Sequence, residues 1–266
     1  MKKKSRELEV AIEAALQAGK ILEKYFETAI LKEFKEDYGI VTLADKKSEE
    51  IIKKIILKNF PNHSILGEET GMTANGEKYM WHIDPIDGTR NFANGIPIFA
   101  VSLALVSHDE ILLGVVYNSA TRSLFYAEKG KGAYFNDKRI FVSKDNKENA
   151  IMTVSPGGDR LNRQLFLTLY YSIPQGVSRS IRNLGCTALE LAYVARGGLE
   201  ANIQLGLSTY DFAGGALLVL EAGGKITKLD GSPWKFPENK FIASNGVFHD
   251  LLIEEVKKQK AKVGQN

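Results

Sequence analysis

The chain has 266 residues, of which 44% are hydrophobic and 25% charged, a composition that excludes disorder and suits one large domain or two subdomains. Its net charge of +3 comes mostly from lysines near the two ends, a mild bias that does not establish a nucleic-acid partner, and we expect none. The single cysteine, Cys186, excludes an internal disulfide. The sequence has neither a membrane-spanning apolar run nor a signal-peptide pattern, so we expect a cytoplasmic protein without a membrane partner.

The first elements are a helix and a charged loop. Apolar residues at helical spacing predict an amphipathic helix over 5–29. Residues 31–45 are rich in charge and predict a surface loop that ends in a short strand. Lys32 or Lys35 in this loop is either a phosphate contact or an ordinary exposed lysine.

A second helix and a short strand follow. The helix is predicted to begin at Asp45, which would then be its N-cap. Residues 64–69 read as an apolar strand that stops at Glu68 and Glu69, two acids that are either solvated or part of a site. Residues 70–77 are turn-forming and predict a loop.

The stretch 81–92 combines an apolar run with two carboxylates. Pro85 lacks an N–H and favours an extended residue before it, so the stretch reads as a strand that enters a tight loop. Asp84 and Asp87 can then converge on one point. Two such carboxylates repel each other unless a proton or a cation intervenes, and oxygen ligands suit Mg²⁺.

Gly88 and Thr89 come directly after these carboxylates, at the predicted start of a short helix. Free N–H groups at such a start favour an anion such as phosphate. The alternative is an Asp-rich turn that caps the helix and holds no metal.

The middle of the chain predicts an antiparallel meander of strands between residues 99 and 143, with a turn at Asn136-Asp137. The turn-rich segment 144–149 is the best subdomain boundary. We therefore expect an N-terminal α+β subdomain over 1–146 and a C-terminal α/β subdomain over 147–266.

Strands and helices alternate in the second half, which predicts an α/β layer. Asp211 opens an apolar helix that Gly223-Gly224 closes, and a helix apolar on all faces should be buried. Its first carboxylate would lie at a partly buried helix N-terminus, as an N-cap, a metal ligand or both.

Three motifs in this order resemble those of the inositol monophosphatase family, within the lithium-sensitive, metal-dependent sugar-phosphatase superfamily. They are LGEE at 66–69, DPIDGT at 84–89 and YDFAGGALLVLEAGG at 210–224, where Tyr210 and Gly214 depart from the family pattern. The resemblance runs over nearly the whole chain. It implies an α+β fold in the form of a layered α-β-α-β-α sandwich.

The resemblance also implies a site for two or three Mg²⁺ ions. The implied metal ligands are Glu68, Asp84, the carbonyl oxygen of Ile86, Asp87 and Asp211. The implied catalytic residues, which orient or deprotonate a metal-bound water, are Glu68, Thr89 and Asp45.

The implied substrate contacts are Gly88, Thr89, Arg182, Gln204 and Asp211. Arg90 and Arg179 are further cations that either contact the substrate or are surface charges without a role. Gln204 stands where inositol-specific members commonly have a glutamate that contacts the sugar hydroxyls.

The resemblance implies a Mg²⁺-dependent phosphatase that hydrolyses inositol 1-phosphate, forms a homodimer and is inhibited by lithium. Its substrate would be a small phosphate ester. The rivals are a fructose-1,6-bisphosphatase, a dual enzyme that takes both substrates, and a nucleotide 3′-phosphatase. A non-enzymatic binding protein would need a damaged carboxylate cluster, and every carboxylate is intact.

Overall fold

The computed structural model describes residues 3–26, 32–34, 40–76 and 78–264. Its first half comprises α1 (Arg6–Tyr25), β1 (Lys32–Phe34), β2 (Ile40–Thr42), α2 (Leu43–Asn59), β3 (Ser64–Gly67), β4 (Gly71–Thr73), β5 (Met80–Asp87), α3 (Thr89–Phe92), β6 (Ala100–Ser107), β7 (Glu110–Asn118), β8 (Ser123–Glu128), β9 (Gly132–Phe135) and β10 (Lys138–Arg139). Its second half comprises β11 (Ile151–Ser155), α4 (Arg160–Ser172), β12 (Ser180–Arg182), α5 (Thr187–Ala195), β13 (Ala201–Leu205), α6 (Thr209–Glu221), β14 (Lys225–Lys228), β15 (Lys240–Ser244) and α7 (His249–Val263).

The first sheet has the strand order β10-β9-β8-β7-β6-β5-β3-β4. Among the described strands of this sheet only β3 and β5 pair in parallel, and the run from β6 to β10 forms the predicted antiparallel meander. Asn136 and Asp137 have φ values of 44° and 65°, which suit the tight hairpin turn predicted there. The prediction of a plain loop over 70–77 is wrong in part, because Gly71–Thr73 forms β4 and pairs with β3.

The second sheet has the order β12-β11-β13-β15-β14. Strand β11 is parallel to β12 and β13, and β15 is antiparallel to β13 and β14. Helices α5 and α6 pack between the two sheets, α1 and α2 cover the outer face of the first sheet, and α4 and α7 cover the second. The predicted five-layer α-β-α-β-α sandwich is therefore confirmed. The two sheets fall on either side of 144–149, and the division into subdomains stays a prediction.

Helix α2 shows why the predicted cap at Asp45 is wrong. Thr42 is the N-cap, and its hydroxyl accepts a hydrogen bond from the N–H of Ala44 at 3.2 Å. Asp45 is the third helical residue, and its Oδ2 accepts from the N–H and the hydroxyl of Thr42 at 2.7 and 2.6 Å. The two residues form a capping box, in which their side chains accept hydrogen bonds from backbone N–H groups that the start of a helix leaves unpaired.

Helix α6 repeats this arrangement. It begins at Thr209 rather than Asp211, with Ser208 as N-cap and Asp211 as the third residue, whose Oδ2 accepts from the Ser208 N–H at 3.0 Å. The helix is buried along most of its length and ends before Gly223, whose φ of 86° gives the predicted glycine stop. The sheet and the helix meet closely, because a Cβ at Gly114 would lie 2.7 Å from the Cα of Gly214.

Candidate active site

The end of β5 leaves the sheet register where the two central aspartates lie. Asp84 pairs with Ser102 and Asp87 pairs with Ala100, so three steps along β5 oppose two steps along β6. The extra residue is a bulge, and Pro85 within it has no N–H to offer to β6. Asp84 Oδ1 accepts a hydrogen bond from the Ile86 N–H at 2.9 Å, which fixes the carboxylate in the bulge.

Four carboxylates from three separate segments meet at this bulge. Asp84 is only 1% exposed and lies beside Glu68, from the end of β3, and Asp211, from the first turn of α6. Burial, followed by the charges of Glu68, Asp87 and Asp211, raises the pKa of Asp84 well above its usual range. Burial also raises the pKa of Asp211 strongly and that of Asp87 to about 7.

These carboxylates form an all-oxygen donor set, which suits Mg²⁺. In the described part of the chain no three acidic, histidine or cysteine side chains stand at ready-made metal-ligand spacing. The raised pKa values support the fit, because buried carboxylates that repel one another need either protons or a cation.

Asp87 is held from the opposite side by the start of α5. Its Oδ2 accepts a hydrogen bond from the Ala188 N–H at 2.6 Å and from the Cys186 thiol at 3.3 Å. Burial and the charge of Asp87 raise the pKa of the Cys186 thiol. Neither Cys186 nor Ala188 was predicted as part of the site, because only the fold brings residues about a hundred positions apart together.

Thr89 and Asp45 lie together beside the bulge. The Thr89 hydroxyl donates to the carbonyl oxygen of Ile86 at 2.9 Å and is 3.4 Å from Asp45 Oδ1. Burial raises the pKa of Asp45 to about 7, although its hydrogen bonds from Thr42 act in the opposite direction. A carboxyl group with a pKa near neutrality can exchange a proton at the working pH.

Gly88 joins the bulge to α3. Its φ is 89°, and a Cβ there would lie 2.8 Å from the carbonyl oxygen of Ile98. Glycine is therefore required by both the backbone conformation and the close approach. The phosphate-binding role of Gly88 and Thr89 stays a prediction.

Among the described residues, no hydrogen bond connects the predicted substrate contacts Gln204 and Arg182 to the four carboxylates. Gln204 is fully buried, and its amide N–H donates to Asn202 Oδ1 at 2.9 Å and Ser155 Oγ at 3.3 Å. Arg182 is exposed and donates to Ser180 Oγ at 3.1 Å. Their contacts to substrate stay predictions. Lys35 and the side chain of Lys32 lie outside the described residues.

His82 links two of the site's segments without being a ligand. This buried imidazole lies 2.7 Å from the Thr209 hydroxyl, so β5 is tied to the start of α6. Burial lowers its pKa to about 4, which keeps it neutral.

A sequence model of the inositol monophosphatase family matches residues 3–261. The chain is 39% identical over 257 residues to a fructose-1,6-bisphosphatase/inositol-1-monophosphatase of Aquifex aeolicus, which covers 94% of this chain and 95% of that protein. It is 38% identical over 256 residues to an inositol-1-monophosphatase of Mesorhizobium japonicum, with coverage of 94% and 96%. The crystal structure of the extragenic suppressor protein suhB from Bartonella henselae matches with a TM-score of 0.90 and 34% identity, covering 96% of this chain and 99% of that one.

A buried carboxylate cluster at the edge of a five-layer sandwich, together with these relatives, makes the protein a phosphatase of the phosphoric monoester hydrolase class. Within that class the chain belongs to the inositol monophosphatase family. The resemblance drawn from its three motifs is thus confirmed. The described residues contain no helix with the length and apolar character needed to span a membrane.

Proposed function

We propose that the protein is a Mg²⁺-dependent phosphomonoesterase that hydrolyses inositol 1-phosphate to inositol and phosphate. The observation that carries this proposal is the meeting of Glu68, Asp84, Asp87 and Asp211 at the β5 bulge. These carboxylates and the Ile86 carbonyl oxygen would hold two or three Mg²⁺ ions. Bound Mg²⁺ supplies an activated water and neutralises the charge of the phosphate.

Thr89 and Asp45 would accept the proton that this water loses. The Thr89 hydroxyl lies 3.4 Å from Asp45 Oδ1, so it would accept a proton from the water and pass its own proton to Asp45. Asp45 can hold that proton because its pKa is about 7. Its other oxygen, Oδ2, is tied to Thr42 and keeps the side chain in place. Glu68, which lies beside Asp84, would orient the same water.

A panel of phosphate esters assayed for phosphate release with Mg²⁺ tests the proposal. We expect release from inositol 1-phosphate and none after exhaustive chelation. The panel includes fructose 1,6-bisphosphate and a nucleotide 3′-phosphate, the substrates of the two rival enzymes. A protein that releases phosphate only from the nucleotide, or from no ester, contradicts the proposal.

Dual activity on fructose 1,6-bisphosphate is the second candidate, and Gln204 favours it. A glutamine amide offers one acceptor and two donors where a glutamate accepts from two hydroxyls, so selectivity for inositol should loosen. The name of the Aquifex aeolicus relative includes both activities. A lost charge-assisted hydrogen bond is equivalent to a change in selectivity of about one to two decades.

The variant Gln204→Glu tests this second candidate. We expect the wild type to hydrolyse both esters at comparable kcat/KM and the variant to shift the ratio toward inositol 1-phosphate. Gln164→Glu on the outer helix α4 is the matched control, with the same change of charge on the outer layer. An unmoved ratio in Gln204→Glu means that this residue does not set the specificity.

Three further properties are proposed on family membership and composition. They are a homodimer, inhibition by lithium and a cytoplasmic location. The chain has a mass of 29.5 kDa, so light scattering that shows only this mass at micromolar concentration would contradict the homodimer.

A further inference from the structure

Helix α2 carries three polar side chains on successive turns of one face. Asp45, Glu49 and Lys53 are spaced four residues apart, a spacing that aligns side chains along a helix. Asp45 reaches Thr89 in the active site. The other two reach the turn that follows β3, which carries Glu68.

Glu49 contacts this turn on both sides of Glu68. Its Oε2 accepts a hydrogen bond from the Glu69 N–H at 2.8 Å, and its Oε1 accepts from the Thr70 N–H at 3.1 Å and from the Thr70 hydroxyl. On the preceding side, a Cβ at Gly67 would collide with the Glu49 carboxylate. The carboxylate therefore lies against the backbone of the whole turn.

The burial of Glu49 strengthens these hydrogen bonds. The side chain is fully buried, and a buried carboxylate is costly unless hydrogen-bond donors surround it. Two backbone N–H groups and a hydroxyl supply those donors. Lys53 adds a second attachment, because its Nζ donates to the hydroxyls of Thr70 and Thr73 at 2.8 and 3.0 Å.

We propose that Glu49 is a positioning residue for the metal ligand Glu68. Because Glu49 and Asp45 lie on the same helix, α2 sets the spacing between Glu68 and the Thr89–Asp45 pair. Pairing with β5 holds the backbone of Glu68, whose N–H donates to the carbonyl oxygen of Ile83 at 3.1 Å, and Glu49 holds the turn that follows. The inference rests on the proposed Mg²⁺-dependent function.

The variant Glu49→Gln tests the inference, with the exposed neighbour Glu50→Gln as matched control. Gln keeps the size of the side chain but loses one acceptor and the charge. Calorimetric titration of Mg²⁺ into the metal-free protein should show affinity weaker by roughly tenfold or more in Glu49→Gln, the effect of losing a residue that orients a ligand. Glu50→Gln should match the wild type.

A second variant keeps the test decisive if Glu49→Gln does not fold. Thr70→Val removes the hydroxyl that donates to Glu49, at an exposed position where folding is not at risk. Its Mg²⁺ affinity should fall about threefold, the equivalent of one ordinary hydrogen bond. A folded Glu49→Gln, or failing that Thr70→Val, with wild-type Mg²⁺ affinity overturns the inference.

Thermal unfolding of the metal-free proteins separates positioning from plain structural support. A merely structural role lowers the unfolding temperature and leaves Mg²⁺ affinity unchanged, which would also overturn the inference. The proposed function fails by a different result, namely a wild type that binds no Mg²⁺ and releases no phosphate.

Discussion

The carboxyl group of Asp84 is buried, lies close to other carboxylates and accepts a hydrogen bond. It is nearly inaccessible to solvent, and three other carboxylates act on it. Their joint effect raises its pKa far above the usual range, so that the ionised form is stable only beside a cation. This residue therefore links the energetics of the fold to metal binding.

Replacing Asp84 with asparagine should lower kcat by at least ~100-fold, because an anionic metal ligand is lost while shape is kept. The metal-free variant should be as stable as the wild type or more so, since like-charge repulsion is relieved. Steady-state kinetics and thermal unfolding measure the two effects. Asp109→Asn, in the exposed turn between β6 and β7, is the control, and an undiminished rate in Asp84→Asn would place the site elsewhere.

His249 should make stability depend on pH far from the active site. It is buried between the hydroxyls of Ser244 and Thr227, and burial, aided by the charge of Lys225, lowers its pKa from 6.5 to about 4. The unfolded chain binds a proton below pH 6.5 and the folded chain does not, so its contribution to the free energy of unfolding is lost as pH falls from 6.5 toward 4.

Denaturant unfolding at pH 7 and pH 5 measures this effect in the wild type and in His249→Asn. His82 and the active-site carboxylates titrate alike in both proteins, so we expect the wild type to lose on the order of 1 kcal/mol more than the variant between the two pH values. The exposed His108→Asn is the control and should keep the wild-type loss. An equal pH dependence in all three proteins would contradict the assignment to His249.

Among the elements, α2 and α6 use the same local device to place a site carboxylate. In each helix the third residue is an aspartate that completes a capping box with Thr42 or Ser208. The patterns T-x-x-D and S-x-x-D are visible in the sequence. The first turn of each helix was therefore predictable, although Asp45 and Asp211 were predicted at the start of their helices and each is the third helical residue.

The close approach of α6 to the first sheet should transmit strain to the site. Gly114→Ala places a Cβ 2.7 Å from the Cα of Gly214, three residues after Asp211. We expect a loss of about 1–3 kcal/mol in the free energy of unfolding from overpacking, together with weaker Mg²⁺ binding. Denaturant unfolding and Mg²⁺ titration measure the two losses.

Gly158→Ala is the matched control for this contact, because a Cβ there meets no atom within 4 Å. It should leave stability and Mg²⁺ affinity near the wild-type values. If Gly114→Ala behaves like Gly158→Ala, the sheet and the helix have room that the structure does not show.

On the scale of the whole molecule, the fold joins segments that are distant in the chain. Glu68 and Asp84 lie on parallel neighbouring strands, whereas Asp211 arrives on a helix packed between the two sheets. The order of elements and the three motifs were visible in the sequence, because periodicity and local motifs depend on neighbouring residues. The support from Glu49, Cys186 and Ala188 was not, since it depends on tertiary packing.

The same limit explains Gln204. Its motif position predicted a sugar contact, but the sequence could not show that Ser155 and Asn202 would bind its amide in the buried interior. Nor could it show that Gln204 Oε1 would be buried without a recorded partner among the described residues. Pocket geometry depends on residues from several strands at once.

We propose that the carboxylate cluster works as a Mg²⁺ site for phosphate-ester hydrolysis. Its most direct test is phosphate release from inositol 1-phosphate while Mg²⁺ is titrated back into exhaustively chelated protein. We expect no release without the ion and a return of activity that requires more than one Mg²⁺ per subunit. Release that continues at the full rate in excess chelator would contradict it.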